Sequence, residues 1–121
     1  MATPNIVNVA TIQGATVAGN LSSTSATGIL DVSAENTWKV NVLAISNVDG
    51  VSDAAISCEI SVDNGSNYYH LAKTVTVPAD STVHLITKDT AIYLDETDLL
   101  RLTASAANDL NYVCSYEILV D

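Results

Sequence analysis

Apolar and polar residues alternate with a period of two in segment after segment of this chain, the pattern of β-strands with one buried and one wet face. From Trp38 the even positions read Trp38, Val40, Val42 and Ala44, with Thr37, Lys39 and Asn41 between them. The same alternation points Ile56, Cys58, Ile60 and Val62 inward, and Ser57, Glu59 and Ser61 outward. It returns at Val75 and Val77, at Val83 and Leu85, and at Leu100, Leu102 and Ala104. The last segment shows it most clearly, with Leu110, Tyr112, Cys114, Tyr116 and Ile118 on one face. Composition agrees: 41 of the 121 residues are Val, Ile, Thr or Tyr, while the unbranched helix formers are scarce.

Turn-forming clusters separate these runs at the spacing of about 8–12 residues expected of a sandwich or small barrel. They are Asn47-Val48-Asp49-Gly50, Asp63-Asn64-Gly65-Ser66, Pro78-Ala79-Asp80-Ser81, Lys88-Asp89-Thr90, Asp95-Glu96-Thr97-Asp98 and Ala107-Asn108-Asp109. Each combines residues that tolerate positive φ or cap their own backbone. Candidate strands are 5–12, 14–19, 26–32, 37–46, 54–62, 68–77, 82–87, 91–94, 98–105 and 110–120. The expected fold is all-β: an antiparallel two-layer sandwich of immunoglobulin-like or jelly-roll topology with an extended N-terminal arm, a closed barrel being the alternative.

Charge divides the chain. Residues 1–30 contain no Asp, Glu, Lys, Arg or His, and every ionisable side chain of these types lies from Asp31 onward. The expected organisation is an N-terminal arm or first hairpin over 1–34 and a sandwich domain over 35–121. With 14 Asp+Glu against 4 Lys+Arg the net charge is −10, which opposes both the phosphate backbone of nucleic acids and anionic lipid. The expected partners therefore include neither nucleic acid nor membrane. The opening Met1-Ala2-Thr3-Pro4-Asn5 has neither a basic region nor an apolar run of the kind that directs export, so a cytosolic origin is expected.

Chemistry is sparse. There is no G-x-S-x-G, P-loop, G-x-G-x-x-G or H-E-x-x-H pattern, and no enzymatic activity and no cofactor are expected. His70 and His84 sit in strand patterns with no second ligand at metal spacing. The carboxylates at Asp95, Glu96 and Asp98, and at Asp49 and Asp53, read as solvated turns rather than a calcium loop. Cys58 and Cys114 both fall on inward faces and read as free, small buried hydrophobes, with a disulfide between them the alternative. Tyr112-Val113-Cys114 looks like the immunoglobulin Y-x-C stretch, but the single tryptophan, Trp38, precedes both cysteines instead of lying between them.

Ile45-Ser46-Asn47-Val48-Asp49-Gly50 and the stretch from Tyr69-His70-Leu71-Ala72-Lys73 to Pro78-Ala79-Asp80-Ser81 resemble small virion structural proteins of tailed bacteriophages. The likeness is strongest to phages of marine bacteria, cyanophages among them. It continues through Asp89-Thr90-Ala91-Ile92-Tyr93-Leu94-Asp95-Glu96, Leu102-Thr103-Ala104-Ser105 and Ser115-Tyr116-Glu117, and the opening Met1 to Ile6 is similar too. What the resemblance implies is a non-enzymatic virion protein made in the host cytoplasm; size and fold add the expectation that it is placed on the capsid surface. There it would decorate or cement the shell by binding the major capsid protein or another virion protein, with homo-oligomers on the particle. The residues expected to make that contact are Asn5, Ile6, Val7, Val9 and Ile12, as a strand added to a neighbour's sheet edge. The alternatives are a neck, head–tail or tail-fibre-associated component, and a carbohydrate-binding module with Tyr68, Tyr69 and Tyr93 as its exposed aromatics.

Overall fold

In the computed structural model, which describes residues 11–120, the alternating segments form nine strands and a single 3-10 turn. The strands are β1 (Thr11–Asn20), β2 (Thr27–Asp31), β3 (Asn36–Asn47), β4 (Ala54–Ser61), β5 (Tyr69–Val77), β6 (Thr82–Ile86), β7 (Ile92–Leu94), β8 (Leu99–Ala104) and β9 (Leu110–Val120). The turn, Lys88–Thr90, separates β6 from β7. Its start is closed by the Thr87 amide, which donates to Thr90 Oγ1 at 3.0 Å.

Pairing is nested and antiparallel throughout: β1 with β9, β2 with β8, β3 with β6 and β7, and β4 with β5. The chain is in effect one long hairpin, rolled so that β9 also lies beside β3 and β8 beside β4. Sheet A then runs β1-β9-β3-β6, with β7 on the same side of β3 as β6, and sheet B runs β2-β8-β4-β5. This is the jelly-roll member of the expected pair of topologies. No strand of one sheet pairs with a strand of the other among the described residues, which removes the closed barrel.

The core fills the space between the sheets. In sheet A a cross-strand row runs through Val17, Cys114, Leu43 and Ile86, the last three with at most 1% of their surface exposed. Sheet B answers with Ile56, Cys58, Leu100 and Leu102, all fully buried. Burying one such side chain is worth about 1.5–3 kcal/mol, so these rows fix which face of each strand points inward. Cys58 and Cys114 are both free, and burial pushes each thiol up to about 12, with lesser contributions to Cys58 from Cys114 and Glu59. They are inert packing groups at neutral pH.

Expectations about inward faces are corrected at three places, the first by a bulge. The β3–β9 register shifts between Val40 and Val42, leaving Asn41 as the extra residue. Beyond it Leu43 and Ile45 are the buried residues, and Val42 and Ala44 turn to the outer face. In β4 the alternation holds through Cys58, then breaks: Ser61 is buried and Val62 is 62% exposed. On β9 Leu110 and Cys114 are buried with Tyr112 and Tyr116 packed against the core, but at the far end it is Leu119, not Ile118, that is buried.

The expected division near residue 35 does not hold for residues 11–34. They form neither a separate arm nor a hairpin, because β1 is the edge of sheet A and β2 the edge of sheet B. Leu21, Leu30 and Val32 are buried in the common core. At Gly19 the small residue is a packing requirement rather than a sign of detachment: a Cβ there would stand 2.8 Å from the Tyr112 hydroxyl oxygen. The tyrosine of the Y-x-C stretch thus covers β1.

Candidate functional site

Of the residues expected to contact a partner, Asn5, Ile6, Val7 and Val9 lie outside the described residues. Ile12 lies on β1, opposite Leu119, with 61% of its surface exposed. Its surroundings gain meaning from a survey of the four sheet edges, since an unpaired strand edge is a template for another strand unless something blocks it. β2 is only five residues long, carries Asp31 and is interrupted by a register shift between Gly28 and Leu30. β5 carries Lys73 and is bulged at Thr74, whose φ of 51° is left-handed and whose amide donates to Ser57 Oγ at 2.9 Å. The fourth edge is split between β6 and β7 by the 3-10 turn. β1 has none of these devices. Its ten residues pair with β9 without a register shift, and they include no charge and no proline. Among the described residues nothing pairs with its outer side.

The outer face of sheet A next to that edge is made mostly of small and β-branched residues. Rows run Thr16, Ser115, Val42 and Ala18, Val113, Ala44, His84. One charged row crosses it, Gly14, Glu117, Lys39, Tyr93.

Sheet B presents a different surface. One outer row runs Gly28, Arg101, Glu59, His70 across all four strands. Arg101 donates from Nε to Glu59 Oε1 at 3.2 Å and from Nη2 to Oε2 at 3.4 Å, and its guanidinium lies 3.5 Å over the Tyr68 ring. His70 Nε2 stands 3.9 Å from the same Glu59. Beside this row is a groove of about 430 Å³ over β2 and β8, flanked by Tyr68 from the loop before β5, with Gly28, Ile29, Asp31, Tyr68, Leu99 and Arg101 on its walls. The loop that presents Tyr68 is tied down by its own side chains. Asp63 accepts from Ser61 Oγ and from the Asn67 amide and side chain, Gly65 N donates to Ser61 Oγ, and Asn64 and Gly65 take the positive φ of the turn. These hydrogen bonds, Asn67 first, hold the Asp63 carboxyl below the usual value.

The other candidates serve the fold. Asp95 accepts from Thr37 Oγ1, Asp98 from the Asp95 amide, Glu96 from the Glu35 amide, Asp49 from the Val51 amide and Asp53 from the Ala79 amide. Burial, followed by the Asp95 charge, outweighs that amide bond and raises the Asp98 carboxyl above the usual range. Among the described residues no three His, Cys, Asp or Glu side chains are placed to share a metal ion. His70 and His84 sit on different sheets. Tyr69 and Tyr93, 63% and 49% exposed, likewise lie on different sheets, so the three tyrosines form no common platform.

Sequence reasoning missed Arg101, Glu59, Asp31 and Gly28 as a group because they come from separate segments with no motif spacing. The one available signal was a glycine inside a strand pattern, which marks a bulge or a close approach. No protein-family model matches the chain, and no curated protein is significantly similar to it.

Proposed function

We propose that the chain is a non-enzymatic virion structural protein that decorates or cements a phage capsid by docking on the major capsid protein. The observation that carries this reading is the unguarded β1 edge. Three edges are blocked by charge, bulge, brevity or interruption, while the longest regular edge is left neutral and open. A solitary protein is exposed to aggregation by such an edge. A protein that adds a strand to a neighbour requires it, because main-chain hydrogen bonds supply the affinity. The jelly roll also recurs in viral capsid domains, a fold-level analogy that supports the reading without identifying a site. An acidic exterior suits a molecule held on a shell around packaged DNA.

Lysine substitutions on two exposed edge residues test it. Thr16→Lys on β1 and Thr76→Lys on β5 change charge equally, and both are expected to leave stability within about 0.5 kcal/mol. In co-sedimentation with capsids lacking the protein, Thr16→Lys is expected to abolish binding and Thr76→Lys to leave it intact. Equal binding by both variants overturns the docking edge. Quantitative proteomics of purified particles then separates shell decoration from a neck or tail position, since only the former requires a copy number on the scale of the capsid protein.

A further inference from the structure

We propose that the groove over Gly28 on the outer face of sheet B binds a neutral saccharide. This goes beyond the docking edge and uses the opposite sheet.

Size is the first ground. About 430 Å³ falls within the roughly 300–1,000 Å³ of small-molecule sites and accommodates one sugar ring. Its chemistry is the second. A sugar hydroxyl both donates and accepts, and the groove offers both partners on fixed supports: a carboxylate at Asp31, and a guanidinium and a phenol at Arg101 and Tyr68. Glu59 occupies Nε and Nη2 of Arg101, leaving Nη1 uncommitted. Asp31 and the Tyr68 hydroxyl make no side-chain hydrogen bond with other described residues, so their capacity is unspent on the fold. Ile29 and Leu99 supply apolar wall for the C–H face of a ring.

Charge selects among ligands. The walls carry one Asp and one Arg, and Glu59, paired with Arg101 from outside the groove, leaves the cluster of three net negative in a protein of net charge −10, which turns away phosphates, carboxylates and acidic sugars. A simple cation finds a single carboxylate, Asp31, on the walls, too few oxygens to hold it. A neutral polyol suffers from neither charge. Preorganisation is the third ground: the Glu59 fork and the Tyr68 ring lock Arg101, and the hydrogen-bonded 61–67 loop fixes Tyr68, so little ordering remains when a ligand arrives. A second, hydroxyl-lined hollow adjoins it on the same face, with Ser57, Thr74 and Thr103 on its walls, one outer row further along the strands. An oligosaccharide longer than one ring has somewhere to go.

Gly28 provides the clean test. A Cβ there meets nothing within 4 Å, so Gly28→Leu places a side chain in the groove with no clash at its Cβ. The probes are neutral oligosaccharides (gluco-, manno-, galacto- and N-acetylglucosamine series), with sialyllactose and inorganic phosphate as anionic controls, followed by amide chemical-shift titration of the full chain. At least one neutral series is expected to shift Gly28, Tyr68 and Arg101 saturably. Gly28→Leu is expected to abolish those shifts while its other resonances stay in place. Asp31→Ala, at an exposed position, is expected to weaken binding about tenfold, or about 1.4 kcal/mol. No saturable shift with any neutral series, binding by the anions alone, or undiminished binding in both variants overturns the proposal.

Discussion

β1 and β5 are both edge strands of about the same length in the same rolled hairpin, and they treat their open side in opposite ways. β5 is bent by a left-handed Thr74, carries Lys73 and loses register twice against β4. β1 keeps register over ten pairs and carries no charge. Each strand is held on its inner side by packing, through Val17 and Gly19 in β1 and through Val75 and Val77 in β5. The difference therefore lies on the outer side, where it decides what a neighbouring chain can do.

The largest effect that tests this comparison is removal of β1. Deleting residues 1–20 takes away all ten pairings with β9, the Val17 contact and the cover over Tyr112. The expected loss exceeds about 3 kcal/mol, the scale of a large core truncation, read as a fall in the thermal or urea midpoint. A truncated form as stable as the full chain would show that β1 is a detachable arm after all.

Within β1 two glycines separate the packed side from the open one. Gly19→Val drives a side chain into Tyr112 and is expected to cost about 1–3 kcal/mol, whereas Gly14→Val meets open space and is expected to be neutral or slightly stabilising. Equal effects in chemical denaturation would contradict the assigned faces. On β5, Thr74→Gly relieves a β-branched residue of its left-handed backbone and is expected to stabilise by about 1 kcal/mol. A destabilised variant would mean that the bulge is held by the threonine side chain rather than by the amide bond to Ser57.

The smallest effect concerns two carboxyls with opposite shifts. Asp63, in the loop leading to β5, has its pKa lowered below 3.8 in the fold, so its contribution is present above that value and is lost as pH falls through its native pKa. Asp98, buried behind the turn before β8, has its pKa raised above 3.8, so its unfavourable ionisation develops as pH rises from the unfolded value through the native one. Asp63→Asn is expected to flatten the acid limb of the stability profile. Asp98→Asn, which keeps the acceptor for the Asp95 amide, is expected to flatten the loss that accompanies rising pH.

Local periodicity and turn chemistry were enough to place most strands within a residue or two, as at 110–120 and 82–87, and to put Leu100, Leu102 and Ala104 in the core. They did so because side-chain alternation and positive-φ tolerance are properties of neighbouring residues, visible without knowing any partner. They failed at Val42 and Ala44, where an extra residue in one strand of a pair reverses every face beyond it, and a bulge exists only relative to the partner strand; Val62 lies past the end of β4, where the alternation has stopped. For the same reason the charge-free stretch was legible as distinctive but not as the edge of two sheets. The four residues of the Gly28, Arg101, Glu59, His70 row are distant in sequence and become neighbours only through the pairing of β2, β8, β4 and β5. The sequence by itself determined the fold class and the strands. Tertiary structure alone decided the nesting order, the inward faces beyond each bulge, the open edge and the groove, because each depends on which strand lies beside which.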